Sequence, residues 1–281
     1  MSFLLLHPLI SLSFFSLAMG LFSLWIHKSS WIFGSFALIS LVMAFTSDLL
    51  SWMALIPLSF FSILLASLTL NPQGLARFLI ASTLFLIGGA LFFHIFPGFF
   101  PVQHHCFFSS SFCCNYAKGL VALLLLGWFV PTLKAKEVFK SAMPMSLVSA
   151  TLLLILFFIW KMPIWNPFFS LSFFHWALFT LFFIILPEEA LLRGLLQKEL
   201  FQWLGGGVKS HVSCLIIASC IYPLFHLGWE GNFSLLLPTM LAGFTYALLY
   251  QISRKIEMSI LCHFFIQCGQ FLLFHGSETM I

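Results

Sequence analysis

The sequence predicts an all-α fold, a polytopic membrane bundle of eight to ten transmembrane helices, on three observations. The 281 residues are 61% hydrophobic and only 7% charged. Mean hydropathy is +1.08. A water-soluble domain carries about 25% Asp, Glu, Lys and Arg, so these side chains cannot coat a globule of this size with solvated groups. Third, the apolar residues fall into runs close to the roughly 20 that a helix needs to cross hydrocarbon. Barrel strands alternate apolar and polar residues, and runs such as Leu181–Leu186 do not alternate.

Ten candidate segments follow in order, each bounded by charge, Pro or Asn. Segments 9–26 and 31–47 flank Lys28, and 49–71 follows Asp48 and stops at Asn71-Pro72. Segment 78–97 runs from Arg77 to Pro97; 119–133 lies between Lys118 and Lys134, and 145–160 between Pro144 and Lys161. Both of the last two are short for spans. Segment 168–187 ends at Pro187, and 211–229, 233–252 and 258–275 complete the series. No Lys or Arg precedes the first apolar run, so it reads as a retained span rather than a signal peptide. Neither a C-terminal CaaX box nor an N-terminal Met-Gly is present.

Short loops rich in Lys and Arg face the cytoplasm. With ten spans and the N-terminus outside, one face collects Lys28, Arg77, Lys134, Lys136, Lys140, Lys198, Lys209, Arg254 and Lys255. The other keeps only Lys118 and Lys161, beside Asp48, Glu230 and Glu278. Segment 188–210 is then expected in the cytoplasm, and the protein in a bacterial inner membrane or its equivalent. A net charge of +4 without a basic block makes nucleic acid an unsuitable partner. Membrane lipid is the partner the composition demands. Residues 1–144 read as N-terminal scaffold helices, and residues 145–281 hold nearly every chemically suggestive side chain.

An ionisable group at membrane depth is costly, so one that persists is usually paired, water-lined and functional. Three places qualify. In Glu188-Glu189-Ala-Leu-Leu-Arg193, Glu189 and Arg193 stand four apart with the acid N-terminal, the favourable order for a helical ion pair. Glu188 is rotated about 100° away from that pair. Tyr222 and His226 lie one turn apart, and so do His263 and Gln267, each pair on one helix face. Packing that turns these groups toward one another around a wet cavity satisfies all of them.

Such a set can hydrolyse a peptide bond without serine or cysteine. Glu188 would take a proton from water as general base, with partial desolvation raising its proton affinity toward the working pH. His226 would hold that water, and His263 and Gln267 would donate to the oxyanion. Other proteolytic chemistries lack their residues: Asp48 is the only Asp, no His is followed by Glu, and no G-x-S-G occurs.

These three segments resemble the CAAX protease and bacteriocin-processing family of intramembrane glutamic endopeptidases, whose motifs are E-E-x-x-x-R, F-x-x-x-H and H-x-x-x-N on successive helices. Glu188, Glu189 and Arg193 match the first, His226 matches the second with Tyr222 in the Phe position, and His263 matches the third with Gln267 for Asn. The resemblance covers about residues 168–275. It implies that Glu188 activates water, that Glu189 and Arg193 are a structural pair, and that the substrate is a prenylated or hydrophobic peptide or protein. It also implies no cofactor. A zinc ion held by Glu188, His226 and His263 stays open as an alternative on residue type alone. The second functional class is a noncatalytic relative: an immunity factor, a regulator or a proton-coupled transporter.

The remaining histidines and cysteines carry weaker expectations. His175 sits in an aromatic run, and His94, His211 and His275 lie near span ends. His104, His105, Cys106, Cys113 and Cys114 cluster in sequence but fit no standard zinc spacing. Cys214, Cys220, Cys262 and Cys268 read as small apolar helix residues.

Overall fold

The computed structural model describes residues 8–26, 30–100, 102–105, 111–129, 137–159, 165–167, 169–225 and 236–273. Their order is helical almost throughout: α1 Pro8–Ile26, α2 Ser30–Thr46, α3 Leu55–Thr69 behind a 3₁₀ turn at Trp52–Ala54, and α4 Gly74–Phe92. Then come α5 Tyr116–Leu124, prolonged by a π-helical turn at Leu125–Phe129, and α6 Met143–Ile159, preceded by a π-helical turn at Val138–Ala142. A long helical run follows: α7 Ser172–Thr180, a wide turn Leu181–Ile185, α8 Leu186–Glu189, a second wide stretch Ala190–Gln197, and α9 Lys198–Trp203. Helices α10 Val208–Ile221, α11 Leu236–Ser253 and α12 Ile256–Leu273 close the series.

Where no water is available to bond the backbone, a chain must satisfy every N–H and C=O internally, and the helix does so within one segment. Among the described residues, four helices are long and apolar enough to cross a membrane: Trp52–Thr69, Gly74–Phe92, Lys140–Ile159 and Ile256–Leu273. Shorter apolar helices cover Pro8–Leu24, Trp31–Thr46, Tyr116–Phe129 and Val208–Ile221. The protein is a multi-pass, all-α membrane bundle, and its described residues include one small hairpin. Strands β1 Val102–His105 and β2 Ser111–Cys114 pair antiparallel, placing Gln103 opposite Cys113 and His104 opposite Phe112. The side chains of His104, His105, Cys113 and Cys114, and all of Cys106, lie outside the described residues.

One boundary is corrected. Segment 168–187 is expected to end at Pro187, yet the helix continues to Trp203. Pro187 has no N–H to donate, and its ring crowds the carbonyl four residues back. The widened turn Leu181–Ile185 lies directly ahead of it, and a wide turn is one way a helix absorbs that defect. Beyond it, Glu188, Glu189, Arg193 and Gln197 are all buried, each with protein partners in place of water.

The chain forms two compact units. One comprises Met1–Thr132 and Phe182–Leu196, the other Leu133–Leu181 and Gln197–Ile281. In the first, α1 packs on α2 and α5, α3 on α4, and α5 on α4 and α8. Close approach there depends on two glycines. A Cβ at Gly119 would stand 2.7 Å from Leu17 Cδ2 and 3.0 Å from Phe183 Cδ1. One at Gly88 would stand 2.7 Å from Leu191 Cδ1. Small residues at helix interfaces are what bring backbones together in lipid. In the second unit, α6 and α11 pack on α12, α10 packs on α11 and α9 on α10.

Candidate active site

The acidic motif belongs to the first unit. Arg193 Nε lies 3.3 Å from Glu189 Oε2, and both side chains are 0% exposed. A charged pair removed from water this completely is held by mutual attraction, and losing either member strands the other. Glu188, in the same short helix, is 4% exposed. Its Oε1 accepts from Lys118 Nζ at 3.3 Å across 70 residues of sequence.

Lys118 is the neighbour of Glu188 that sequence reasoning missed. It was counted among outer-loop charges, but it lies buried in the first turn of α5. The Asn115 side chain caps that helix by accepting from the Lys118 backbone N–H at 3.2 Å. The Asn115 amide donates in turn to Leu91 O at 3.2 Å and Phe92 O at 2.7 Å, fastening the end of α4 to the start of α5. Lys118 Nζ also stands 5.2 Å from the centre of the Phe92 ring, within cation–π range. Only the lone Lys between apolar runs signalled it. Nothing local connects it with Glu188.

His94 follows the end of α4 with a positive φ of 53°. Burial, and after it the nearby Lys118 ammonium, hold this imidazole below the ordinary histidine range.

The histidine motif belongs to the second unit. His263 on α12 is 1% exposed, and its Nε2 is 3.2 Å from the Tyr222 hydroxyl at the end of α10. Tyr246 of α11 stacks on the His263 ring, with centroids 4.6 Å apart and planes 17° apart. The Tyr222 ring meets Tyr246 edge-on at 5.6 Å. Gly243 makes room for this clamp, because a Cβ there would stand 2.7 Å from Tyr222 Cβ. Ser259 donates to Tyr246 O at 2.6 Å and ties α12 to α11 one turn before His263. A ring held by a hydroxyl on one nitrogen and a stacked face has a fixed direction for its other nitrogen. Tyr246 and Gly243 carry no sequence motif and were not anticipated.

Gln267 is partly exposed, and its amide oxygen is buried without a hydrogen bond. His226 and His275 lie outside the described residues. His175 is exposed on α7. His211 Nδ1 bonds the Gln251 amide, which is joined through its Oε1 to Gln197 Nε2 at 3.0 Å. Cys214 and Cys262 are buried, Cys220 is exposed, and all four described cysteines are free thiols. Among the described residues no three His, Cys, Asp or Glu side chains cluster as a metal site.

Residues 170–269 match the family model described as Type II CAAX prenyl endopeptidase Rce1-like. That span contains every residue singled out by motif, from Glu188 to Gln267, and excludes Lys118. No curated protein and no solved structure matches the chain.

Proposed function

We propose, from the premise that residues 170–269 are a domain of the Rce1-like, type II CAAX prenyl endopeptidase family, that this membrane protein cleaves a peptide bond in a prenylated or hydrophobic substrate with Glu188 as its general base. The observation that carries the reading is a buried carboxylate, Glu188, set beside a fully buried Glu189–Arg193 pair inside the matched residues.

In the proposed reaction a water oxygen attacks the scissile carbonyl carbon while Glu188 takes one of its protons. The C–O bond forms, and the carbonyl electrons move onto oxygen. His263 and Gln267 donate to that oxyanion, and His226 holds the attacking water. When the intermediate collapses, the C–N bond breaks and Glu188 returns its proton to the leaving amine. For His263 to donate, the Tyr222 hydroxyl gives its proton to Nε2 and the ring proton sits on Nδ1. Tyr246 stacking keeps that orientation. Glu189 and Arg193 serve structure rather than chemistry.

The reaction needs no metal, although a zinc ion held by Glu188, His226 and His263 is the alternative that a chelator distinguishes: the glutamate route survives chelation. The site is proposed to face the cytoplasm of a bacterial inner membrane or its equivalent. One observation favours a second reading, a noncatalytic regulator or proton-coupled transporter. Gln267 stands where the family motif carries Asn, and its amide oxygen is unpartnered.

Purified protein in lipid nanodiscs, given a farnesylated CaaX peptide and a hydrophobic leader peptide, tests both readings. Cleavage of either that disappears in Glu188→Gln, with the melting temperature kept, supports the peptidase. Full cleavage by Glu188→Gln refutes the base assignment, and proton-coupled uptake without cleavage favours the second reading.

A further inference from the structure

Lys118 occupies a position that works against a cation in two ways. It is 7% exposed, so its ammonium has lost its water. It also lies three residues past the Asn115 cap, in the first turn of α5, where the helix presents the positive end of its dipole. An apolar side chain would fill that space without either cost. Two contacts that compensate Lys118 are Glu188 Oε1 at 3.3 Å and the Phe92 ring at 5.2 Å. Gly119, the next residue, removes the Cβ that would hold α5 away from Leu17 and from Phe183, five residues before Glu188.

We propose that Lys118 is a positioning residue for Glu188, a cation carried by the Asn115-capped start of α5 and backed by Phe92 that fixes the direction of the Glu188 Oε1. It rests on the reading of Glu188 as base. A charge-assisted N–H···O contact is directional, so it fixes the carboxylate in space and with it the oxygen that meets the water. Lys118 thereby extends the functional machinery into the chain before the matched residues 170–269.

The test uses the full-length protein in nanodiscs with a farnesylated CaaX peptide, comparing wild type, Lys118→Met, Lys118→Arg and Phe92→Leu. Lys118→Met is expected to lower kcat by about 10²-fold, the scale of a misplaced catalytic group, with KM little changed. Lys118→Arg should restore most of the loss, and Phe92→Leu should cost less than Lys118→Met. An infrared arm reads Glu188 directly, its band being assigned by its absence in Glu188→Gln. That band is expected to shift in Lys118→Met, because the carboxylate loses its ammonium donor.

A wild-type kcat in Lys118→Met, a loss that Arg does not rescue, or a carboxylate band unchanged in that variant would each overturn the proposal. If Lys118→Met does not fold, Phe92→Leu carries the decision: lowered kcat with altered Glu188 absorption supports it, and no change in either overturns it. Should the wild type cleave nothing, the peptidase reading fails on that result. The infrared comparison then still decides for or against Lys118.

Discussion

Glu189 and Arg193 form a fully buried ion pair, so their expected contribution is to stability. With both side chains fully buried, truncating one leaves the other as an uncompensated charge. Glu189→Ala is therefore expected to destabilise the protein by about 3–5 kcal/mol, the range for breaking a buried pair, read as lower expression and a lower melting temperature in detergent. A melting temperature equal to that of wild type would mean that the pair stabilises nothing. This pair was legible in sequence because its members stand at i and i+4 on one helix. Lys118 was not: its partner lies 70 residues away, and its charge looked like that of any loop lysine. Sequence spacing reports contacts within one helix, whereas contacts between helices depend on how closely backbones approach. Residues such as Gly119 and Gly243 set that approach, and neither belongs to a motif.

At the scale of elements, all ten apolar segments expected from composition have a helix where they were placed, because hydrocarbon leaves the backbone few other solutions. The ends were less legible. The helix through Pro187 was expected to stop, and it continues because Glu188, Glu189, Arg193 and Gln197 find partners inside the protein. The short hairpin at Val102–Cys114 was likewise not anticipated, since its strands are only four residues each. Close contact between α10 and α11 has its own test. A methyl at Gly243 would fall 2.7 Å from Tyr222 Cβ and 2.9 Å from its ring, and these are not the flexible tips of a side chain. Gly243→Ala is expected to cost about 1–3 kcal/mol, as overpacking does. It should also disturb the Tyr222–His263 contact, visible as a changed His263 imidazole signal in NMR. An unchanged signal and melting temperature would show that the helices part freely and that the clamp does not depend on this glycine.

For the whole molecule, the residues of the proposed chemistry belong to two units of the chain. The acid and its cation come from the unit of Met1–Thr132 with Phe182–Leu196, and the imidazole with its two tyrosines from the unit of Leu133–Leu181 with Gln197–Ile281. The proposed function asks both to serve one peptide bond. Groups that act as a unit are strongly non-additive: once one is lost, removing the other costs little more. The most direct measurement is therefore kcat/KM on a farnesylated CaaX peptide for wild type, Glu188→Gln, His263→Ala and the double variant. If Glu188 and His263 belong to one hydrolytic machine, the double variant cleaves about as slowly as the worse single variant. Losses that multiply as independent factors, or a Glu188→Gln protein as active as wild type, would contradict the account.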